Sequence, residues 1–465
     1  MHMETIELLR SGQLTGDKRL NLHEGFTQFP TEILDLADSL EILDLSDNHL
    51  TSLPQEFAQL KKLRIGFFNN NAFEEVPEIL SQCPNLSMVG FKSNPIKKFA
   101  ENALPPTVRW LILTNNRLEQ LPASIGNLKN LQKLMLAGNQ LTSLPDELAL
   151  CRNLELIRLA ANRLTELPEW LLTLPRLSWL AYSGNPFCQA IPYPERSLPH
   201  IDWADITLGN TLGQGASGII SRGLWSAKQC SAQEVAIKIF KGEITSDGSP
   251  LDEMRACIAA GSHENIVGVL GKLQPSPENK AGLVLPFIPS DYRTLGNPPD
   301  FESCTRDTYS PETDFSLAVI LRIAQGIAAA AAHLHSRGIM HSDLYAHNIL
   351  VNETGHSFLG DFGAASFYDR RDVFTSQALE QLEVRAFGCL LEDLLDRCQP
   401  EDFLAQEEAI AMLRSLQHDC MHPIPAMRPL FGKICDLLAK TSRGIADSKD
   451  EAVVSSLRYA PLAAS

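Results

Sequence analysis

The sequence predicts an α/β solenoid followed by a separate α+β domain, and two observations carry this. Seven asparagines (Asn48, Asn71, Asn94, Asn116, Asn139, Asn162 and Asn185) recur at steps of 23, 23, 22, 23, 23 and 23 residues, each in the same apolar frame. Beyond residue 200 that period disappears. Two strand-like runs, "GIISRGLW" (218–225) and "EVAIKIF" (234–240), are then followed by long helical patterns. A chain of 465 residues is expected to hold two or three units at roughly 100–200 residues each.

Composition narrows the function classes. Hydrophobic content of 44% and charged content of 21% suit a folded protein. A net charge of −16 argues against nucleic acid or an anionic membrane surface as a main partner. The ten cysteines are scattered singly with no metal-finger spacing, which predicts reduced thiols and a cytoplasmic location. The opening "MHMETIELLRSGQL" lacks the apolar core of a secretion signal. No run of about 18 apolar residues is read, so no membrane span is expected. The stretch "IAQGIAAAAAHLH" (323–335) reads as a buried helix.

The first half is justified by its frame, LxxLxLxxNxLxxLP, plain at 40–54, 131–145 and 154–168. The LxL run places two leucines inward from a short strand. The asparagine can bond the backbone of neighbouring turns. One unit cannot bury its own apolar face, so units stack. An earlier, degenerate unit (20–30) carries Gly25 in place of the asparagine. The frame resembles the leucine-rich repeats and implies a domain over residues 1–190 with an N-terminal cap. Two lanes face the concave side: Ile42, Ile65, Met88, Trp110, Lys133, Leu156, Trp179, and Asp44, Phe67, Gly90, Ile112, Met135, Arg158, Ala181. They are unusually apolar, which predicts a protein partner on the concave face or docking against the rest of the chain. Residues 191–203 read as a short, proline-rich linker.

The second half opens with Gly213-x-Gly215-x-x-Gly218-x-Ile220. Alone, GxGxxG is weak. A dinucleotide fingerprint would open a helix, whereas this one continues as a strand. Val235-Ala236-Ile237-Lys238 follows, and a lysine on an apolar strand needs a charged partner. The combination resembles the glycine-rich hairpin and the third strand of protein kinases. Downstream, "GIMHSDLYAHNILV" (338–351) and "LGDFGAAS" (359–366) resemble the catalytic loop and the metal-binding Asp-Phe-Gly. "CMHPIPAMRPLF" (420–431) resembles the end of tyrosine-kinase-like domains. The whole order, repeats then kinase, resembles bacterial leucine-rich-repeat protein kinases.

This resemblance implies a two-lobed α+β kinase domain over 204–440 and a mobile tail over 441–465. It implies ATP and Mg²⁺ as cofactors. Gly213, Gly215 and Gly218 would let amides approach the phosphates, and Lys238, paired with Glu253, would neutralise them. Asp252 is the weaker candidate for that pairing. Ile220, Ala236, Leu285 and Phe287 would line the adenine site. Asp343 would position the acceptor hydroxyl, while Asn348 and Asp361 would hold the metal. Arg428 would pair with Glu380.

The catalytic loop also departs from the family. Ser342 replaces an arginine, Tyr345 replaces the lysine of serine/threonine kinases, and His347 takes the place of an arginine of tyrosine kinases. A carboxylate beside His347 would let it carry charge. Ser366, Tyr368, Thr375 and Ser376 are candidate phosphorylation sites. His333 and His335 lie on different helix faces and read as structural. The expected function is an ATP-dependent protein kinase acting on Ser/Thr or Tyr hydroxyls of a protein substrate. The alternative is a nucleotide-binding pseudokinase scaffold.

Overall fold

The computed structural model describes residues 5–191, 197–215, 217–226, 232–242, 245, 247–273 and 280–443. The proline-rich run at 192–196 and the tail from 444 onward, expected to be mobile, lie outside the described residues.

After helix α1 (Thr5–Arg10), eight three-residue strands form one parallel sheet in sequence order. They are β1 (Arg19–Asn21), β2 (Ile42–Asp44), β3 (Ile65–Phe67), β4 (Met88–Gly90), β5 (Trp110–Ile112), β6 (Lys133–Met135), β7 (Leu156–Arg158) and β8 (Trp179–Ala181). The asparagines build the expected ladder. Asn139 Nδ2 donates to Leu113 O (2.8 Å) and Leu136 O (3.0 Å), and its Oδ1 accepts from Leu118 N (3.1 Å). The residue before each ladder asparagine turns the chain with a positive φ: Asp47, Asn70, Ser93, Asn115, Gly138, Ala161 and Gly184. The return segments are 3₁₀ turns, each preceded by Pro30, Pro54, Pro77, Pro122, Pro145 or Pro168, where no amide donor is needed. Phe57, Phe68, Phe73 and Phe91 fill the interior between turns.

The second half has two lobes. The first is a six-stranded sheet in the order β10–β11–β12–β14–β13–β9. Its strands are β9 (His200–Ile201), β10 (Ile206–Gln214), β11 (Gly218–Trp225), β12 (Gln233–Phe240), β13 (Gly271–Leu273) and β14 (Gly282–Pro286), with helix α2 (Pro250–Ala260) beside it. The second lobe is helical: α3 (Leu317–His335), α4 (Val373–Leu395), α5 (Pro400–Ala405), α6 (Glu407–Cys420) and a helix over 431–443. Two small sheets complete it. One is β15 (Arg293–Thr294), β17 (Ile349–Val351) and β18 (Ser357–Leu359); the other is β16 (Ile339–Met340) with β19 (Ser366–Phe367).

Helix α3 corrects one expectation. It has 19 residues and is long and apolar enough to cross a membrane by length and composition. The run at 323–335 is its C-terminal part, and "LAVIL" at its start brings it to that length. In the fold, most of the helix packs inside the second lobe, with Ile320, Ala324, Ile327, Ala331 and Leu334 buried.

On the concave face, the second of the two expected occupants, the rest of the chain, is the one found. A separate protein partner is not what covers the described strands at its C-terminal end; the chain's own second half does. Met135, Leu156 and Trp179 share one apolar cluster with Leu344, Tyr345, Ala386 and Leu390. Met340, Tyr368, Leu379 and Leu382 join the solenoid's own core. Residues 297–308, unassigned from sequence, reach the earlier repeats. Glu302 meets Arg64 (3.0 Å), Phe301 packs on Phe67 (5.9 Å between centroids), and Thr305 Oγ1 donates to Glu155.

Candidate active site

The period-two alternation of β12 decides which way its lysine points. Val235 and Ile237 face a cluster with Ile201, Leu273 and Val284. Ala236 and Lys238 therefore face the other side, toward α2. Ser249 caps that helix by accepting from Leu251 N, and Pro250 starts it, which sets Glu253 in its first turn. Lys238 Nζ donates to Glu253 Oε1, and both residues are buried. Burial alone would lower the lysine's pKa, but the Glu253 and Asp361 charges outweigh it and hold the ammonium above its ordinary range. Burial pushes the Glu253 carboxyl up, opposed by Lys238. Asp252 instead pairs with Arg255 at 2.9 Å.

Ile220 lies opposite Lys238 on β11, and Ala236 opposite Leu285 on β14. The Phe287 ring follows β14, with the Arg222 guanidinium 5.1 Å from its centre. The three glycines divide into two kinds. At Gly213 and Gly215, chain neighbours aside, no atom of the described residues lies within 4 Å of where a side chain would begin. At Gly218 a Cβ would stand 2.5 Å from Ile239 O, so that glycine is required by the pairing of β11 with β12.

The second lobe supplies the remaining groups. Glu383, fully buried, accepts from His341 N (3.2 Å), Ser342 N (2.6 Å) and His335 Nε2 (2.8 Å). This anchors the loop that carries Asp343. Asn348 Nδ2 donates to Asp343 O (2.9 Å) and to Asp343 Oδ2 (2.7 Å). His341 Nε2 bonds Gly360 O at 2.8 Å, and Phe362 packs on the His341 ring at 5.1 Å. Asp361 adopts a left-handed turn (φ 52°), and its Oδ1 accepts from Gly363 N at 3.1 Å. A side chain at Gly363 would begin 3.9 Å from Glu253 Oε2, which places the Asp361 turn against the Lys238–Glu253 pair.

Four further residues at this site escaped the sequence reading. Arg158, at the end of β7, is buried and donates from Nε to Asp247 Oδ1 (2.8 Å), from Nη1 to Ser342 O (3.1 Å) and from Nη2 to Asp343 Oδ1. Burial would raise the Asp343 pKa, but Arg158 first, then His347 and His341, hold it below the usual carboxylate range. Trp179 stacks on Tyr345. Asp307 accepts from His347 Nδ1 (2.6 Å) and from Ala346 N. Burial disfavours the imidazolium of His347, yet Asp307 outweighs it and the pKa is raised. The only sequence signal for Arg158 was one arginine in a mostly apolar lane.

Other expectations change. Arg428 does not pair with Glu380. It donates to His422 O, Gln381 O and, across to the repeats, Pro175 O, while Glu380 accepts from Phe431 N. Burial lowers the Arg428 pKa to about 9. Ser366 and Tyr368 are buried and hydrogen-bonded to Tyr182 N and His335, so they are not accessible hydroxyls. Helix α4 begins at Val373, so no long loop follows the Asp361 turn. Among the described residues there is no cluster of potential metal-binding histidines, cysteines and carboxylates.

Comparison with known proteins agrees with this geometry. A family model described as protein tyrosine and serine/threonine kinase matches residues 206–387. Leucine-rich-repeat models match residues 39–60, 106–164 and 129–187. Fibroblast growth factor receptor 1 of Xenopus laevis is 25% identical over 312 residues, 55% of this chain and 37% of that protein. The tyrosine-protein kinase receptor TYRO3 of Danio rerio is 22% identical over 276 residues, 50% and 31% respectively. A probable serine/threonine-protein kinase of Dictyostelium discoideum is 26% identical over 245 residues, 49% and 16% respectively. The chain thus spans well under half the length of the relatives it matches. These relatives are eukaryotic and lend the bacterial arrangement no support. They also overturn the expected cytoplasmic location, since two of them are receptors by name. Scattered cysteines and the opening residues, on which that expectation rested, do not record compartment.

Proposed function

We propose, from the premise that this chain carries leucine-rich repeats followed by a protein kinase domain, that it transfers the γ-phosphoryl group of ATP to Ser/Thr or Tyr hydroxyls of a protein substrate. The observation that carries this is the set of contacts that bring the Lys238–Glu253 pair near the Asp361 turn and Asp343 onto Asn348, where the two lobes meet. The open space at Gly213 and Gly215 suits a backbone that approaches phosphates, so the residues present fit the nucleotide. Lys238 would neutralise the phosphates, and Ile220, Ala236, Leu285 and Phe287 would face the adenine. Asn348 and Asp361 offer the oxygen donors that Mg²⁺ takes, and the ion would supply charge neutralisation on the phosphates. Asp343 would orient the acceptor hydroxyl and receive its proton. Incubation with labelled ATP tests the reading. Incorporation by the wild type should vanish in Asp343→Asn while the chain remains folded, and equal incorporation would reject it.

One observation favours a second reading, a nucleotide-binding scaffold without turnover: Arg158 already occupies one oxygen of the Asp343 carboxylate. That reading expects ATP to raise the melting temperature while no phosphate is transferred.

A further inference from the structure

We propose that Arg158 is a positioning residue of the phosphoryl-transfer site, fixing the Asp343 carboxylate for an acceptor hydroxyl, so that the solenoid forms part of the active site. This rests on the protein-kinase reading above.

The argument begins with cost. A buried guanidinium is unfavourable by several kcal/mol unless it is paired and fully hydrogen-bonded. Arg158 is 2% exposed, and it lies between Met135 and Ala181 in a lane that is otherwise mostly apolar. Holding the two halves together does not require it. Trp179, Leu156 and Met135 already share an apolar core with the second lobe. The three donors of Arg158 instead go to Asp247, from the segment before α2, and to Ser342 O and Asp343 Oδ1 of the catalytic loop. One side chain from the repeats therefore spans both lobes and ends on the candidate base. Tyr345, a phenol stacked beneath Trp179, supplies no positive charge there.

Acceptor capacity separates positioning from blockage. An ionised carboxylate offers about four lone-pair sites. Arg158 takes one on Oδ1 and Asn348 takes one on Oδ2, so each oxygen retains a site for an incoming hydroxyl. The Asp343 side chain keeps 17% of its surface open. In the step itself, the bond between the acceptor oxygen and Pγ forms as the bond from Pγ to the β,γ-bridging oxygen breaks. The electron pair leaves on ADP, and the hydroxyl proton passes to Asp343. A carboxylate already held by Arg158 and Asn348 needs no reorientation during that step.

The experiment uses the full chain and compares wild type, Arg158→Gln and Arg158→Lys for phosphate incorporation at varied ATP, with the ATP-induced melting shift as a check on nucleotide binding. For Arg158→Gln we expect kcat to fall about tenfold or more and KM for ATP to change by less than about twofold. Arg158→Lys should recover part of the rate. A rate in Arg158→Gln equal to or above wild type overturns the proposal, the latter identifying a plug. So does a lost rate with no recovery in Arg158→Lys, or one lost together with a severalfold rise in KM for ATP, which marks a purely structural role. If Arg158→Gln shows no ATP-induced shift, Asp247→Asn decides, since it removes one acceptor of the guanidinium and leaves Arg158 and Asp343 in place. A severalfold lower kcat is expected there, and an unchanged kcat overturns the proposal. Failure of the wild type itself to incorporate phosphate would sink the kinase reading, and this inference with it; an active wild type matched by Arg158→Gln sinks only the inference.

Discussion

The indole of Trp179 lies flat on the phenol ring of Tyr345, with centroids 4.3 Å and planes 7° apart. Its Nε1 donates to Leu344 O at 3.2 Å. A residue from the last repeat strand therefore roofs the catalytic loop, and its removal opens a cavity across both halves. Trp179→Ala should cost about 3–5 kcal/mol in denaturant unfolding. A loss under about 1 kcal/mol would mean that the seam contributes little to stability.

Ala161 occupies the turn position before a ladder asparagine with φ 53°, where the equivalent residues of the flanking turns are Gly138 and Gly184. A side chain is strained in that conformation. Ala161→Gly should raise stability by about 1 kcal/mol, read as an increase in melting temperature. A lower melting temperature would count against strain at this turn.

The glycine hairpin makes a paired prediction. Gly218→Ala places a Cβ against Ile239 O and should destabilise the first lobe. Gly215→Ala meets no neighbour and should leave stability within about 0.5 kcal/mol while weakening ATP binding. Equal effects of the two on the melting temperature would contradict the division.

His347 and Asp307 give a pH dependence of definite sign. The imidazole pKa is raised in the folded protein because Asp307 stands 2.6 Å from Nδ1. Its contribution to stability is fully present below the unfolded value of about 6.5 and declines as pH rises through the higher folded value. The stability difference between wild type and His347→Asn should therefore shrink with increasing pH over that window. A difference that is flat or grows with pH would show that the ion pair contributes nothing.

Local pattern made much of this legible. The repeat announced itself because each turn must bury the same leucines and satisfy the same backbone with an asparagine. Lys238 announced a partner because an apolar strand does not tolerate a lone ammonium, and Glu253 stood at a helix start within reach. What stayed hidden were pairs with no spacing to read. Arg158 and Asp343 lie far apart in sequence, and each looks ordinary in its own neighbourhood. Asp307 sat in a polar stretch without periodicity, yet it caps the turn at Ala346 and charges His347. Arg428 was misplaced for a similar reason: its carbonyl partners carry no side-chain signature. The apolar lane was readable as a docking face, but composition alone could not say which surface docks.

The stacked pair at the seam has a genetic corollary. Tyr345 cannot drift to a smaller or charged residue without leaving Trp179 unsupported, and the reverse also holds. Exchanging either half for a counterpart from a distant homologue should therefore yield a functional chimaera only when both rings travel together.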